Sequence, residues 1–180
     1  MPLEIPKPWN AFLKDLDRAL EGPVELHCLG GFVLTMLYGL VRPTADVDVL
    51  VVRPPMDINQ LAGIGSPLHK KHRVYLQLVT VLEAYPEDYE ERLTEMFPGA
   101  LSNLRLFALD PHDLALTKLR RNSQRDREDV LHLANAAPLD IETLRVRYQE
   151  MRPCLGNPER EDLTLKLWIE AIEETRKGNS

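Results

Sequence analysis

The sequence predicts an α/β protein of the α+β kind, in which a mixed β-sheet flanked by helices is followed by an all-helical part. The β-branched and aliphatic runs that predict strands all lie before residue 110, and after it apolar residues recur only at helical spacing. A chain of 180 residues can hold such a core and a helical appendage. We therefore expect a core over residues 1–109 and a helical subdomain over residues 110–180 packed on it.

The first part of the chain alternates helices with strands. Residues 32–40 would be apolar on nearly every side of a helix, which predicts a buried helix. Arg53-Pro54-Pro55 ends the strand predicted at 46–52. Residues 87–97 are ambiguous, although their apolar side chains fit one helical face. The predicted strands are 24–28, 46–52, 74–82 and 104–109. The other predicted helices are 9–20 and part of the polar segment 57–71.

The second part of the chain contains only helical patterns. Asp110-Pro111 is typical of a helix start, with an N-cap followed by proline at the first helical position. The predicted helices contain Ala115 and Leu119, Val130 and Leu133, Ile141 and Met151, and Leu165 and Ile172.

Composition narrows the cellular context. Cys28 and Cys154 lie far apart without metal-ligand spacing, which indicates a reducing compartment. The first residues do not show the basic segment followed by an apolar one that is typical of a secretory signal. The uncharged run 28–41 is too short to cross a bilayer. We expect a cytoplasmic protein without a membrane partner.

The net charge of −6 argues against binding duplex nucleic acid through a broad basic surface. Basic residues still cluster locally, and such a patch can attract RNA although the whole chain is acidic. For the first cluster the sequence favours a solvated charged face over a nucleic-acid patch. The clusters are Lys70, Lys71 and Arg73, and then Lys118, Arg120, Arg121, Arg125 and Arg127.

A glycine pair and two aspartates carry the chemistry of the first part. Gly30-Gly31 allows close backbone approach, and the helix that follows directs N–H groups and its positive dipole end toward an anion. Asp46 and Asp48, two apart on a strand, share one face and are hard oxygen ligands suited to Mg²⁺ or Mn²⁺. Singly, each motif is more often a turn or a solvated surface pair. Together they predict phosphoryl or nucleotidyl transfer.

This arrangement resembles the minimal signature of the nucleotidyltransferase superfamily, the fold of DNA polymerase β and kanamycin nucleotidyltransferase. The match comprises Gly30-Gly31 and the segment Arg42-x-Thr44-x-Asp46-x-Asp48. Residues 113–119 (DLALTKL) and 125–130 (RDREDV) resemble a segment of the stand-alone bacterial and archaeal branch that includes AbiEii-type abortive-infection toxins. The resemblance covers about residues 24–135.

The resemblance implies a mechanism and roles for individual residues. Asp46 and Asp48 hold the divalent ions, and Gly30, Gly31, Arg42, Thr44, Lys118 and Arg125 bind the nucleoside triphosphate. Lys118 neutralises charge on the triphosphate, while Asp126, or less favourably Asp129, acts as a base or orders Lys118 and Arg125. Helical spacing alone predicts a solvated Lys118, and an ordinary i, i+4 pair of Arg125 with Asp129.

The same resemblance implies a hydroxyl acceptor on RNA, such as a transfer RNA end, and a toxin with an antitoxin protein as partner. A small-molecule acceptor stays open. The superfamily also supplies a third carboxylate from a neighbouring strand, where this chain offers Gln77. Either Glu83 or Asp126 completes the site, or the chain is a nucleotide- or partner-binding protein with a degenerate, inactive site.

Overall fold

A computed structural model describes residues 4–79 and 85–178 of the chain. The first compact unit of the described chain comprises residues 4–33, 41–79 and 93–109, and the second comprises 34–40, 85–92 and 110–178. The predicted division into residues 1–109 and 110–180, with the second part packed on the first, stays a prediction. The predicted α+β class with a mixed sheet flanked by helices is confirmed.

The helices and strands follow one another along the chain as the hydrophobic pattern predicts for most segments. The helices are α1 (Trp9–Ala19), α2 (Gly30–Tyr38), α3 (Ile58–Ala62), α4 (Pro67–His72), α5 (Pro111–Leu116), α6 (Gln124–Ala136), α7 (Ile141–Met151) and α8 (Pro158–Gly178). The strands are β1 (Val24–Leu29), β2 (Asp46–Arg53), β3 (Tyr75–Leu78), β4 (Thr94–Met96) and β5 (Leu104–Ala108). Short 3₁₀ turns occupy Tyr89–Arg92 and Arg152–Cys154.

A five-stranded mixed sheet forms the centre of the first unit, in the order β3-β2-β1-β5-β4. β1 is antiparallel to β2 and parallel to β5, β3 is parallel to β2, and β4 is antiparallel to β5. Helix α1 contacts β5, α3 and α4, and its Phe12, Leu13 and Leu16 are fully buried. This apolar stripe is the reason that α1 forms, because an isolated helix of this length is marginal in water.

The second unit is built from helices in contact with one another. α5 contacts α6 and α7, and α6 contacts α8. The predicted start of α5 is confirmed, since the Asp110 carboxylate accepts the backbone N–H of His112 at 2.9 Å. None of the helices in the described parts of the chain is long and apolar enough to cross a bilayer.

Two predicted segments differ from the structure. The segment 87–97, ambiguous from its sequence, does not form one helix: it contains the 3₁₀ turn Tyr89–Arg92 and the edge strand β4 at Thr94–Met96. Pairing with β5 overrides local helical spacing there, and Arg105 on β5 binds Glu95 at 3.0 Å. The strand predicted at 74–82 is observed only as Tyr75–Leu78, and its residues 80–82 lie outside the described residues.

The buried Asp17 carboxylate ties α1 to the start of β5. Its two oxygens accept the backbone N–H groups of Ser102 at 3.1 Å, Asn103 at 2.7 Å and Leu104 at 2.7 Å. Burial by itself raises the pKa of Asp17, but these three donors outweigh that effect and hold the pKa below its ordinary 3.8. The ionised carboxylate therefore stabilises the fold.

We expect Asp17→Asn to lower the free energy of unfolding by about 1–3 kcal/mol at neutral pH, because an amide NH₂ then faces N–H donors. Since the folded pKa of Asp17 is depressed, its stabilisation is present above the unfolded value of 3.8 and is lost as the pH falls through the lower folded pKa. The difference between the two proteins should accordingly shrink in acid. Urea denaturation across pH measures it, with Asp57→Asn at an exposed position as the control.

Candidate functional site

The two aspartates of β2 lie on the same face of the sheet. Val47 and Val49 point into the core and are fully buried, whereas Asp46 and Asp48 alternate with them and are half-buried. The strand pattern thus holds two carboxylates side by side at the start of β2. Such a pair carries unfavourable like-charge repulsion that a bound cation relieves.

Gly30 places the start of α2 directly against this carboxylate pair. It follows Leu29, which pairs with Asp48 across the sheet, and it has a left-handed φ of +72°. A Cβ on Gly30 would overlap the Asp48 carboxylate oxygen Oδ2 and lie 2.9 Å from the Asp48 Cγ. Only glycine fits at this point, for both its φ and its lack of a side chain. The N-terminus of α2, with Gly31 as its second residue, is therefore adjacent to Asp48.

The segment before β2 orients the other carboxylate. The Thr44 hydroxyl donates a hydrogen bond of 2.5 Å to Asp46 Oδ1. Arg42 is half-buried in the same segment between α2 and β2. Thr44 thus contacts Asp46 rather than only starting the strand.

A glutamine takes the position on β3 beside Asp48. The register pairs Asp46 with Tyr75 and Asp48 with Gln77, so all four side chains share a face. In the described ranges, no group of three or more His, Cys, Asp or Glu is placed to hold a metal ion. Glu83, the other predicted source of a third carboxylate, lies outside the described residues. Two carboxylates and an amide oxygen are nevertheless hard donors that fit Mg²⁺ or Mn²⁺.

Lys118 belongs to the second unit and differs from its predicted setting. It lies in the turn after α5 rather than on the helix, and the prediction of a solvated side chain is wrong, because Lys118 is only 5% exposed. Its ammonium donates to Asp129 Oδ2 at 2.8 Å and lies 3.7 Å from Asp126 Oδ1. Burial of Lys118 is possible because these two carboxylates, 0–3% exposed, surround its charge.

Asp126 is a capping and ion-pairing residue of the same turn. It accepts the backbone N–H of Ser123 at 2.9 Å and its hydroxyl at 2.7 Å, and Arg121 binds it through two nitrogens. Burial raises the pKa of Asp126, but these donors and Lys118 outweigh it and hold the pKa at about 2. A carboxylate with so low a pKa is a weak general base at neutral pH. The geometry favours the ordering role, toward Lys118 and Arg121, while Arg125 is exposed on the first turn of α6.

Sequence reasoning missed Tyr75 as a neighbour of the carboxylates. It is half-buried, and burial together with the charges of Asp46 and Asp48 raises the pKa of its hydroxyl. In the sequence Tyr75 is one more member of an apolar run. Its proximity follows from the β2–β3 register, which local patterning does not specify.

We expect Lys118→Met to destabilise the protein by about 3–5 kcal/mol, because the substitution leaves two buried carboxylates without their central cation. The double variant Lys118→Met/Asp129→Leu should be more stable than Lys118→Met alone, since it also removes the buried Asp129 carboxylate that Lys118 binds. Guanidinium denaturation measures both proteins. Equal destabilisation by Lys118→Met and by the exposed-site control Lys166→Met would contradict the buried pair.

Comparison with known proteins assigns the chain to a family. A family model described as "Nucleotidyltransferase of unknown function (DUF6036)" matches residues 12–176, which is most of the chain and includes every site residue described above. No curated protein and no solved structure matches the chain. The match confirms the superfamily that the glycine pair and the aspartates predict. The chain belongs to the family of nucleotidyltransferases of unknown function (DUF6036).

Proposed function

We propose that the protein transfers a nucleoside monophosphate from a nucleoside triphosphate to a hydroxyl acceptor. The observation that carries the proposal is the packing of Gly30, at the N-terminus of α2, against the Asp48 carboxylate. It joins an anion-binding helix end to a pair of metal-ligand carboxylates within one unit of the fold. A nucleoside triphosphate that binds together with a divalent ion needs an anion-binding helix end and metal-ligand carboxylates side by side.

The residues around Asp46 and Asp48 have different roles in the proposed reaction. The N–H groups at the start of α2 bind the β- and γ-phosphates, and Asp46, oriented by Thr44, and Asp48 hold Mg²⁺ or Mn²⁺. When bound there, the ion neutralises phosphoryl charge and lowers the pKa of a hydroxyl beside it. The acceptor oxygen bonds to the α-phosphorus, the bond from that phosphorus to the bridging oxygen breaks, pyrophosphate leaves, and the acceptor proton passes to water.

Lys118 has a structural role within the second unit. Buried Lys118 fixes the turn between α5 and α6 through Asp129 and Asp126, so we assign it a positioning role. In the first unit, half-buried Arg42 before β2 supplies a cation for the triphosphate. The triphosphate contact that the resemblance implies for Arg125, which is exposed on α6, stays a prediction.

We extend the proposal to an RNA acceptor, such as a transfer RNA end, and to a cytoplasmic toxin with an antitoxin partner. The resemblance of residues 113–130 to the toxin-containing branch supports this extension. Two free cysteines, Cys28 buried and Cys154 exposed, are compatible with a reducing compartment.

A second candidate is a nucleotide- or partner-binding protein without turnover. Gln77 beside Asp48 favours it, since an amide is neutral and holds a second divalent ion less tightly than a carboxylate does.

In Mg²⁺ we expect the protein to transfer label from radiolabelled triphosphates to RNA or small acceptors. Asp46→Asn and Asp48→Asn should each lower the transfer rate about 10²–10³-fold, because each removes one ligand of the ion that stabilises charge. Asp57→Asn, at an exposed position, is the matched control. Metal-dependent nucleotide binding without transfer would favour the second candidate. Neither binding nor transfer would overturn both.

We expect Gly30→Ala to abolish transfer, because its methyl group displaces the Asp48 carboxylate. Gly39→Ala is the matched control: Gly39 also has a positive φ, of +66°, but nothing lies within 4 Å of a Cβ there. Both variants should lose about 1–2 kcal/mol of stability from the left-handed backbone, and only Gly30→Ala should lose transfer. Transfer rates and urea midpoints separate the two effects, and equal transfer by both variants would argue against the proposed phosphate site.

A further inference from the structure

The order of the strands gives the carboxylate face two distinct flanks. Gly30 and the start of α2 lie on the β1 side of Asp48, and Tyr75 and Gln77 of β3 lie on the opposite side. In an in-line displacement the attacking oxygen and the leaving group stand on opposite sides of the phosphorus. If the β- and γ-phosphates bind at α2, as the proposed function requires, the acceptor approaches from the β3 side.

An aromatic pair occupies this β3 side. Tyr75 is the register partner of Asp46, and its ring lies 5.1 Å from that of His69 at an interplanar angle of 74°. His69 is held in place, because its Nδ1 accepts the Gly65 N–H at 2.9 Å and its own backbone N–H donates to the Ser66 hydroxyl. Both rings are half-buried, so each keeps surface for a ligand.

Two exposed cations lie between His69 and Tyr75 in the sequence. Lys70 on α4 and Arg73 directly after it are exposed, and Arg73 has a left-handed φ of 61° that turns the chain from α4 into β3. Lys71 and His72 instead bind Asp15 of α1, at 2.6 and 2.8 Å. Asp15 therefore engages Lys71, whose side chain is 65% exposed, and His72, while Lys70 and Arg73 are the exposed cations that follow His69 and precede Tyr75 in the sequence.

We propose that Tyr75 and His69, with Lys70 and Arg73, form the acceptor subsite, and that its ligand is the 3′ end of a single-stranded nucleic acid. A terminal base stacks on the aromatic pair, the preceding phosphates contact the two cations, and the terminal hydroxyl lies beside Asp46 and Asp48. Stacking on aromatic rings and cationic contact with phosphates are the two means by which proteins bind single strands. A small hydroxyl acceptor has no phosphates to engage Lys70 and Arg73.

The test measures two affinities separately in each variant of the full chain. Fluorescence anisotropy reports binding of a 5′-labelled single-stranded RNA of about a dozen nucleotides, a length within the usual single-strand site sizes. Equilibrium binding of ATP in Mg²⁺ reports the triphosphate site. We expect Tyr75→Leu to weaken RNA binding about tenfold or more and Tyr75→Phe, which keeps the ring, by less than about threefold.

Charge variants test the phosphate contacts. Lys70→Ala/Arg73→Ala should weaken RNA binding and reduce the slope of log affinity against log salt by about 1.4, or 0.7 for each phosphate contact on a single strand. Lys166→Ala, at an exposed lysine of α8, is the control and should change neither quantity. ATP binding should stay unchanged in all of these variants, which also shows that they are folded.

The outcomes distinguish this inference from the proposed function. RNA binding that Tyr75→Leu and Lys70→Ala/Arg73→Ala both leave unchanged would overturn the acceptor subsite, as would a wild-type protein that binds no RNA. Loss of ATP binding in folded Tyr75→Leu would place Tyr75 on the triphosphate side instead. Label transfer to protein but not to RNA would overturn the nucleic-acid assignment. Failure of the proposed function has separate signatures, which are no transfer of label to any acceptor and ATP binding unaffected by Asp46→Asn and Asp48→Asn.

Discussion

The contact between the Gly30 backbone and the Asp48 carboxylate is the constraint on which the candidate site depends. A side chain of any size at Gly30 would occupy the space of the Asp48 carboxylate. The start of α2 and this carboxylate therefore fix each other's positions. The contact is short because Leu29, the last residue of β1, pairs directly with Asp48 on β2. The antiparallel pairing of two strands thus fixes how close the N-terminus of α2 lies to the Asp48 carboxylate.

Charge is distributed unequally over the two compact units. In the first unit the carboxylates of Asp46 and Asp48 are half-buried; the Thr44 hydroxyl binds Asp46, and Tyr75 and Gln77 lie beside the pair on β3. In the second unit Asp126 and Asp129 are buried and are neutralised by Lys118 and Arg121. The second pair holds a turn in place, whereas the first is the pair to which we assign metal binding in the proposed function. Motif spacing alone does not separate these two uses of aspartate.

The elements that local pattern determines were predictable from the sequence. Alternation of Asp46 and Asp48 with valines marked β2 and its exposed acidic face, and Asp110-Pro111 marked the start of α5. The features that long-range pairing determines were not. β4 is a three-residue strand that exists because β5 lies beside it, Lys118 is buried because Asp129 comes from the next helix, and Tyr75 neighbours Asp46 only through strand register. Each depends on residues distant in sequence or in another element, which the periodicity of a single segment does not record.

The Asp17 carboxylate, which binds the N–H groups of residues 102–104, has a consequence for biosynthesis. The central strand β1 has both its neighbours later in the chain, and β5 begins only at Leu104. During translation α1 and β1 therefore emerge long before the segment that satisfies Asp17 and covers the second edge of β1. In a nascent chain shorter than about 110 residues, one edge of β1 is unpaired. The Asp17 carboxylate also lacks the N–H groups of residues 102–104 that bind it in the folded protein. The sheet can therefore be completed only after β5 has been synthesised.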